Sequence, residues 1–176
     1  MGKIAVLGLG SSVTLYLKEA PFDFDCSIGV NDIWRYVKTD YICCVDPPKS
    51  FTPERMKIIN ESQPIKFFSQ FVNWDTRKDF EKILIFPGYP DLICRIDTPP
   101  YEKSYTSPFV ATQIAYKKFG ATEIHLFGVD MVNHPYLKGD ICNKIKLHFS
   151  NLNRALKAKD CHLIIHGEGI LTNLVE

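Results

Sequence analysis

Short apolar runs recur along the chain, each ending in glycine, proline or a polar pair, and stretches with helical spacing lie between them. Lys3 to Leu7 is the first run and breaks into Gly8-Leu9-Gly10-Ser11-Ser12. Thr14 to Ala20 can form one or two helical turns before Pro21. Asp25 to Val30 reads as the next strand, followed by the Ile33 to Val37 segment and a strand at Tyr41 to Val45 that stops at Asp46-Pro47-Pro48. Thr52 to Glu61 carries a helix start, with Thr52 as N-cap, Pro53 in the first position and Glu54 in the first turn.

Ile65 to Phe68 and Ile83 to Phe86 are predicted strands. A loop rich in Pro, Tyr and Asp leads to Ser107, the expected cap of a helix from Pro108 to Phe119 that Gly120 ends. Glu123 to Phe127, ending at Gly128, is the clearest later strand, and a helix from about Lys144 to Lys157 and a strand at His162 to Ile165 close the pattern. Continuous apolar strands separated by helices predict a parallel sheet covered on both faces. The expected fold is therefore α/β, a Rossmann-like doubly wound, mostly parallel sheet in one domain spanning residues 1–176.

In such sheets ligands lie beyond the carboxyl ends of the strands, at the point where strand order reverses. Polar residues follow four of the predicted strands: Gly8, Gly10, Ser11 and Ser12; Asn31 and Asp32; Asp46; and Gly128 with Asp130. A strand that ends in glycines and hydroxyls suits an anion such as a nucleotide phosphate. The competing structural reading is a tight strand-to-helix turn. Position 13 is Val13 and no lysine follows, so neither G-x-G-x-x-G nor a P-loop is present. Thr106 and Ser107, at a predicted helix start, could hold a second anionic or hydroxylic part of the ligand.

Charge and cysteine content narrow the classes. Lys plus Arg total 21 against 20 for Asp plus Glu, which supplies no broad basic field for nucleic acid. No run approaches the ~20 apolar residues of a membrane span, and the start lacks a secretion-signal pattern, so a cytoplasmic protein is expected. The six cysteines show no C-x-x-C spacing and mostly fall in apolar runs, which predicts reduced, buried thiols rather than a metal or redox site. Cys43 and Cys44 should face opposite sides of a strand.

Several segments resemble, in the same order, two related groups of proteins. They are the glycine loop, Asp23-Phe24-Asp25 leading to Gly29-Val30-Asn31-Asp32, Thr106-Ser107-Pro108-Phe109 with Ala111 and Ala115, and Phe119 to Asp130. One group is the lipooligosaccharide sialyltransferases of glycosyltransferase family 42, which use CMP-sialic acid. The other comprises motility-accessory and pterin-diphosphokinase-like Rossmann domains. The first resemblance implies a CMP-sugar contacted by Gly8, Gly10, Ser11, Asn31, Thr106 and Ser107, with His148 as the base for a sugar hydroxyl. The alternative for His148 is an exposed helix residue.

Leu9 stands where those transferases usually have Asn, and the segment from Asp130 to His148 is shorter than their lid. A minimal form lacking the lid is one implied outcome, with Tyr89, Tyr101 and Tyr105 as substitute cover for the nucleotide. The second resemblance implies a Mg²⁺-dependent diphosphokinase, with Asp46, Asp130 and Asp32 holding the ion against triphosphate oxygens. A non-catalytic nucleotide or nucleotide-sugar binding module is the third reading. All three take a small-molecule nucleotide as partner, and oligomeric state is left open.

Overall fold

A computed structural model describes residues 2–18, 23–74, 77, 79–86, 96–97, 101–102, 104–132, 134 and 137–174. Seven strands form one sheet: β1 (Lys3–Leu7), β2 (Cys26–Val30), β3 (Tyr41–Cys44), β4 (Lys66–Ser69), β5 (Phe80–Lys82), β8 (Glu123–Phe127) and β9 (His162–Ile165). Their order is β5-β4-β3-β2-β1-β8-β9, with every pairing parallel. Two further short strands, β6 (Ile85–Phe86) and β7 (Tyr101–Glu102), pair apart from this sheet. The helices are α1 (Val13–Lys18), α2 (Pro53–Glu61), α3 (Ser107–Lys117) and α4 (Asp140–Lys157). This is the doubly wound α/β architecture that the apolar runs predict.

Period-two alternation within each buried strand sends side chains into two separate cores. Ile4, Val6, Ile28, Cys43, Ile124 and Leu126 face the layer containing α3 and α4. Ala5, Leu7, Ile42, Cys44, Phe67 and Phe127 face the layer containing α1 and α2. Cys43 and Cys44 thus take opposite faces, as the strand register requires. Cys26, Cys43, Cys44 and Cys161 are buried free thiols, whereas Cys142 is half-buried; Cys94 lies outside the described residues. Burial pushes the Cys161 thiol up to about 11, and burial with the nearby Asp40 and Asp25 charges pushes Cys26 up to about 12.

Several predicted boundaries move for local reasons. Asp25 precedes β2 and uses Oδ2 to accept the N–H groups of Lys3 at 3.0 Å and Gly2 at 2.6 Å. Those bonds hold its carboxyl below the ordinary carboxylate value. The predicted strand at Ile83 to Phe86 shortens to Ile85–Phe86, which pairs with β7, and the unpredicted strand Phe80–Lys82 just before it extends the main sheet beside β4. Helix α4 begins at Asp140, a turn before Lys144, because Gly139 supplies the positive-φ turn that starts it. Ile33 to Val37 contributes only a 3₁₀ turn at Ile33–Arg35. Helix α1 is described to Lys18, and Ala20 lies outside the described residues.

Thr52 does cap α2, accepting the Arg55 N–H, and Pro53 follows it. Among the described residues no helix is long and apolar enough to cross a membrane.

The α4 packing is open to test. Phe149 is fully buried and meets the Phe109 ring edge-to-face at 5.1 Å, whereas Leu147 two residues earlier is exposed. Phe149→Ala should lower unfolding free energy by about 3–5 kcal/mol through the cavity that it leaves. Leu147→Ala should change it by less than about 0.5 kcal/mol. Urea denaturation of the two variants checks both.

Candidate functional site

The sheet reverses its winding at β1, whose neighbours are β2 and β8. The glycine loop and the end of β8 therefore meet at the switch point. They meet closely. A side chain at Gly8 would place its Cβ 2.3 Å from the Gly128 carbonyl oxygen, and one at Gly128 would lie 2.5 Å from that of Gly8. Gly8 N–H donates to Phe127 and Gly10 N–H to Gly128, both at 2.7 Å. The two glycines are required by this backbone approach.

Asp130 fills the loop that the sequence offers to a phosphate. Its Oδ2 accepts Ser12 N–H at 2.8 Å and the Ser11 hydroxyl at 3.1 Å, and its Oδ1 accepts the Ser12 hydroxyl. Ser12 Oγ in turn accepts Gly128 N–H at 2.8 Å. Gly8, Gly10, Ser11, Ser12, Gly128 and Asp130 are thus brought together as expected, but their polar groups satisfy one another. An internal carboxylate takes the anion position of the loop.

The open polar groups lie one strand away. Asn31 follows β2 with φ of +52°, a left-handed conformation that asparagine tolerates, and its Oδ1 accepts the Ser107 hydroxyl at 3.3 Å. That bond joins the end of β2 to the first turn of α3. Thr106, rather than the expected Ser107, is the N-cap of α3, and its side chain makes no capping bond. Its hydroxyl is buried without a hydrogen-bond partner, in a residue only 8% exposed. A helix start with uncapped N–H groups beside an orphan hydroxyl favours an anion or a hydroxyl from outside the chain.

Asp32 is 2% exposed and its charge is taken by two arginines. Arg55 donates from Nε at 2.8 Å and Nη2 at 2.6 Å to Oδ1, and Arg35 Nη2 stands 3.1 Å from Oδ2. Arg55 also covers the Phe51 ring at 4.9 Å. Arg35 also reaches Glu54 Oε1 at 3.5 Å, so two guanidiniums balance two carboxylates, and the Arg55 guanidinium is held at the edge of the crevice by Asp32. Sequence reading passed over Arg55 because it looks like an ordinary helix residue. The available signal was its position: the first turn of a helix that follows a strand in a βα unit lies at the same sheet edge as the strand ends. His134, also passed over, feels this charge, since burial and the Arg55 guanidinium together lower its pKa below the ordinary histidine value.

His148 is not the exposed helix residue of the competing reading. It is 2% exposed, its Nδ1 lies 2.9 Å from the Ser104 hydroxyl, and the Tyr105 ring stacks parallel to it at 6.0 Å. It underlies the segment that delivers Thr106 and Ser107 to the crevice. Of the other two tyrosines considered as cover, Tyr101 packs against the core with Lys117 Nζ 5.4 Å from its ring, and Tyr89 lies outside the described residues. Asp46 follows β3 and is half-buried. A Mg²⁺ ion does not fit the aspartate set, because Asp32 is neutralised by guanidiniums and Asp130 is saturated by Ser11 and Ser12.

The internal carboxylate yields a stability test. Asp130→Ala strips acceptors from a buried N–H and two hydroxyls and should cost about 2–3 kcal/mol. Gly8→Ala, forced against the Gly128 backbone, should destabilise at least as much. Chemical denaturation measures each. No family model, curated protein or solved structure matches this chain, so its chemistry is read from these residues alone.

Proposed function

We propose that this chain is a glycosyltransferase-like domain that binds a nucleotide-sugar of the CMP type in the crevice between Asn31, Arg55 and the start of α3. The observation that carries this reading is the buried, unpartnered Thr106 hydroxyl at an uncapped helix start. The ligand phosphate takes the first-turn N–H groups of α3 and the Thr106 hydroxyl, where the helix dipole favours negative charge. Arg55, fixed by Asp32, contributes the positive charge, and Asn31 offers its amide to the nucleoside. Gly8, Gly10, Ser11, Ser12, Gly128 and Asp130 then form a wall of the site, because hydrogen bonds through Ser12 and Asp130 tie the two loops together.

A sialyltransferase-like step needs a base to remove the acceptor hydroxyl proton as the sugar leaves the nucleotide phosphate. His148 is 2% exposed beside the Tyr105 ring, so it serves this step only when the residues covering it move aside. Its burial favours a second reading, in which the domain binds the nucleotide-sugar without turning it over and His148 positions residues 104–107. The Mg²⁺-dependent diphosphokinase reading loses support from the engagement of Asp32 and Asp130.

The test is a thermal-shift screen against CMP, CDP, CMP-sialic acid, ATP and GTP, each with Mg²⁺ and with EDTA. A cytidine ligand at 100 times its dissociation constant should stabilise the fold by about 2.7 kcal/mol, with or without metal. Thr106→Val and Arg55→Gln should each weaken that ligand by roughly tenfold or more, the effect expected of losing a charge-assisted hydrogen bond. Stabilisation by ATP or GTP only with Mg²⁺ would restore the diphosphokinase, and no shift with any ligand would sink the proposal. His148→Gln should abolish turnover at unchanged donor affinity if the domain is a transferase.

A further inference from the structure

A second recess opens beside the crevice, between the start of α4 and the segment that follows β9. It has a volume of about 950 Å³, within the range of small-molecule sites, and Met131, His134, Lys138, Cys142, Lys146 and Glu168 contribute to its walls. The far wall is fixed to the switch point: Ile170 N–H donates to the Asp130 carbonyl at 3.1 Å, and Gly169 packs so closely that a Cβ there would lie 2.3 Å from the same oxygen. The recess is therefore a built feature of the fold.

Its charges are arranged in an unusual way. Cys142 and Lys146 lie one turn apart on α4, Lys138 immediately precedes the Gly139 turn that starts the helix, and all three line the recess. Glu168, in the segment after β9, lines the same recess. None of Lys138, Lys146 and Glu168 joins an ion pair among the described residues, although all three line the same space. Two ammonium groups and a carboxylate lining one space of ligand size suit a guest with two matching poles. The lysines need an anionic group, and the carboxylate needs hydroxyl donors.

We infer that this recess is a second ligand site, for a small polyhydroxylated anion such as a sugar phosphate or a sugar acid, held by Lys138 and Lys146 at its anionic end and by Glu168 at its hydroxyls. The inference stands on residues that the nucleotide reading does not use. If a nucleotide-sugar occupies the crevice, a guest here would be its neighbour.

Cys142 is a built-in reporter, half-buried in the lining of the recess while the other described cysteines are buried. Its thiol donates to the Leu137 carbonyl at 3.3 Å. Alkylation of the full chain, read by mass spectrometry of the peptide carrying Cys142, tests the site in two ways. Without ligand, the ratio of iodoacetate to iodoacetamide rates reports local positive charge independently of thiolate fraction, and should fall by about tenfold in the Lys138→Gln/Lys146→Gln variant. With ligand, ribose 5-phosphate or glucuronate should slow iodoacetamide, and uncharged ribose should not.

That protection should vanish in the double lysine variant and weaken in Glu168→Gln. Protection by the phosphate alone or by the carboxylate alone identifies which anion the site takes. An unchanged rate ratio, absence of protection by both acids, or protection that survives removal of both lysines overturns the inference. All three substituted side chains are exposed, so the folded state is retained. Because the readout is confined to Cys142, its failure leaves any cytidine-dependent thermal shift intact, and the reverse also holds.

Discussion

The Asp130 carboxylate holds the functional edge of this molecule together. It joins the loop after β1 to the loop after β8, and its own backbone carbonyl receives the segment that follows β9. A buried carboxylate is stable only where donors surround it, and Ser11 and Ser12 supply them. The glycines allow the backbones to approach until this is geometrically possible. The conformation of both loops and one wall of the neighbouring recess are tied to that single carboxylate.

This arrangement changes what a glycine-rich turn means. In a nucleotide-binding loop the converging donors wait for an external phosphate, whereas here they are spent on an internal anion. Unsatisfied polarity passes to the adjacent position in the fold, where the α3 start lacks a side-chain cap and Thr106 has a buried hydroxyl without a partner. Guanidinium groups gather nearby for a similar reason. Asp32 is buried, needs compensation and draws in Arg55 and Arg35, the second of which is shared with Glu54.

Much of the fold was legible because its determinants are local. Apolar runs of four or five residues marked the buried strands, and Thr52-Pro53 marked the start of α2. The boundaries that moved depended on distant partners. Phe80–Lys82 becomes a strand because β4 is beside it, and Asp25 leaves β2 because the Gly2 and Lys3 N–H groups recruit its side chain. At the site, the right residue types were visible at the ends of strands. Their pairing was not, and the contribution of Arg55 and the burial of His148 were missed because each looks unexceptional within its own helix.

The amino-acid sequence by itself determined the class of fold, the alternation that divides the core into two layers, the reduced state suited to buried thiols and the set of polar residues at the sheet edge. These follow from periodicity, capping and hydrophobicity, which act over a few residues. Only the tertiary structure decided that Asp130 occupies the glycine loop, that Thr106 is left unsatisfied and that Lys138, Lys146 and Glu168 face a common recess. Ser12 and Asp130 are separated by 118 positions, and no local pattern encodes such a bond. It exists because β8 inserts beside β1, so the burial of the strands selects which polar groups meet.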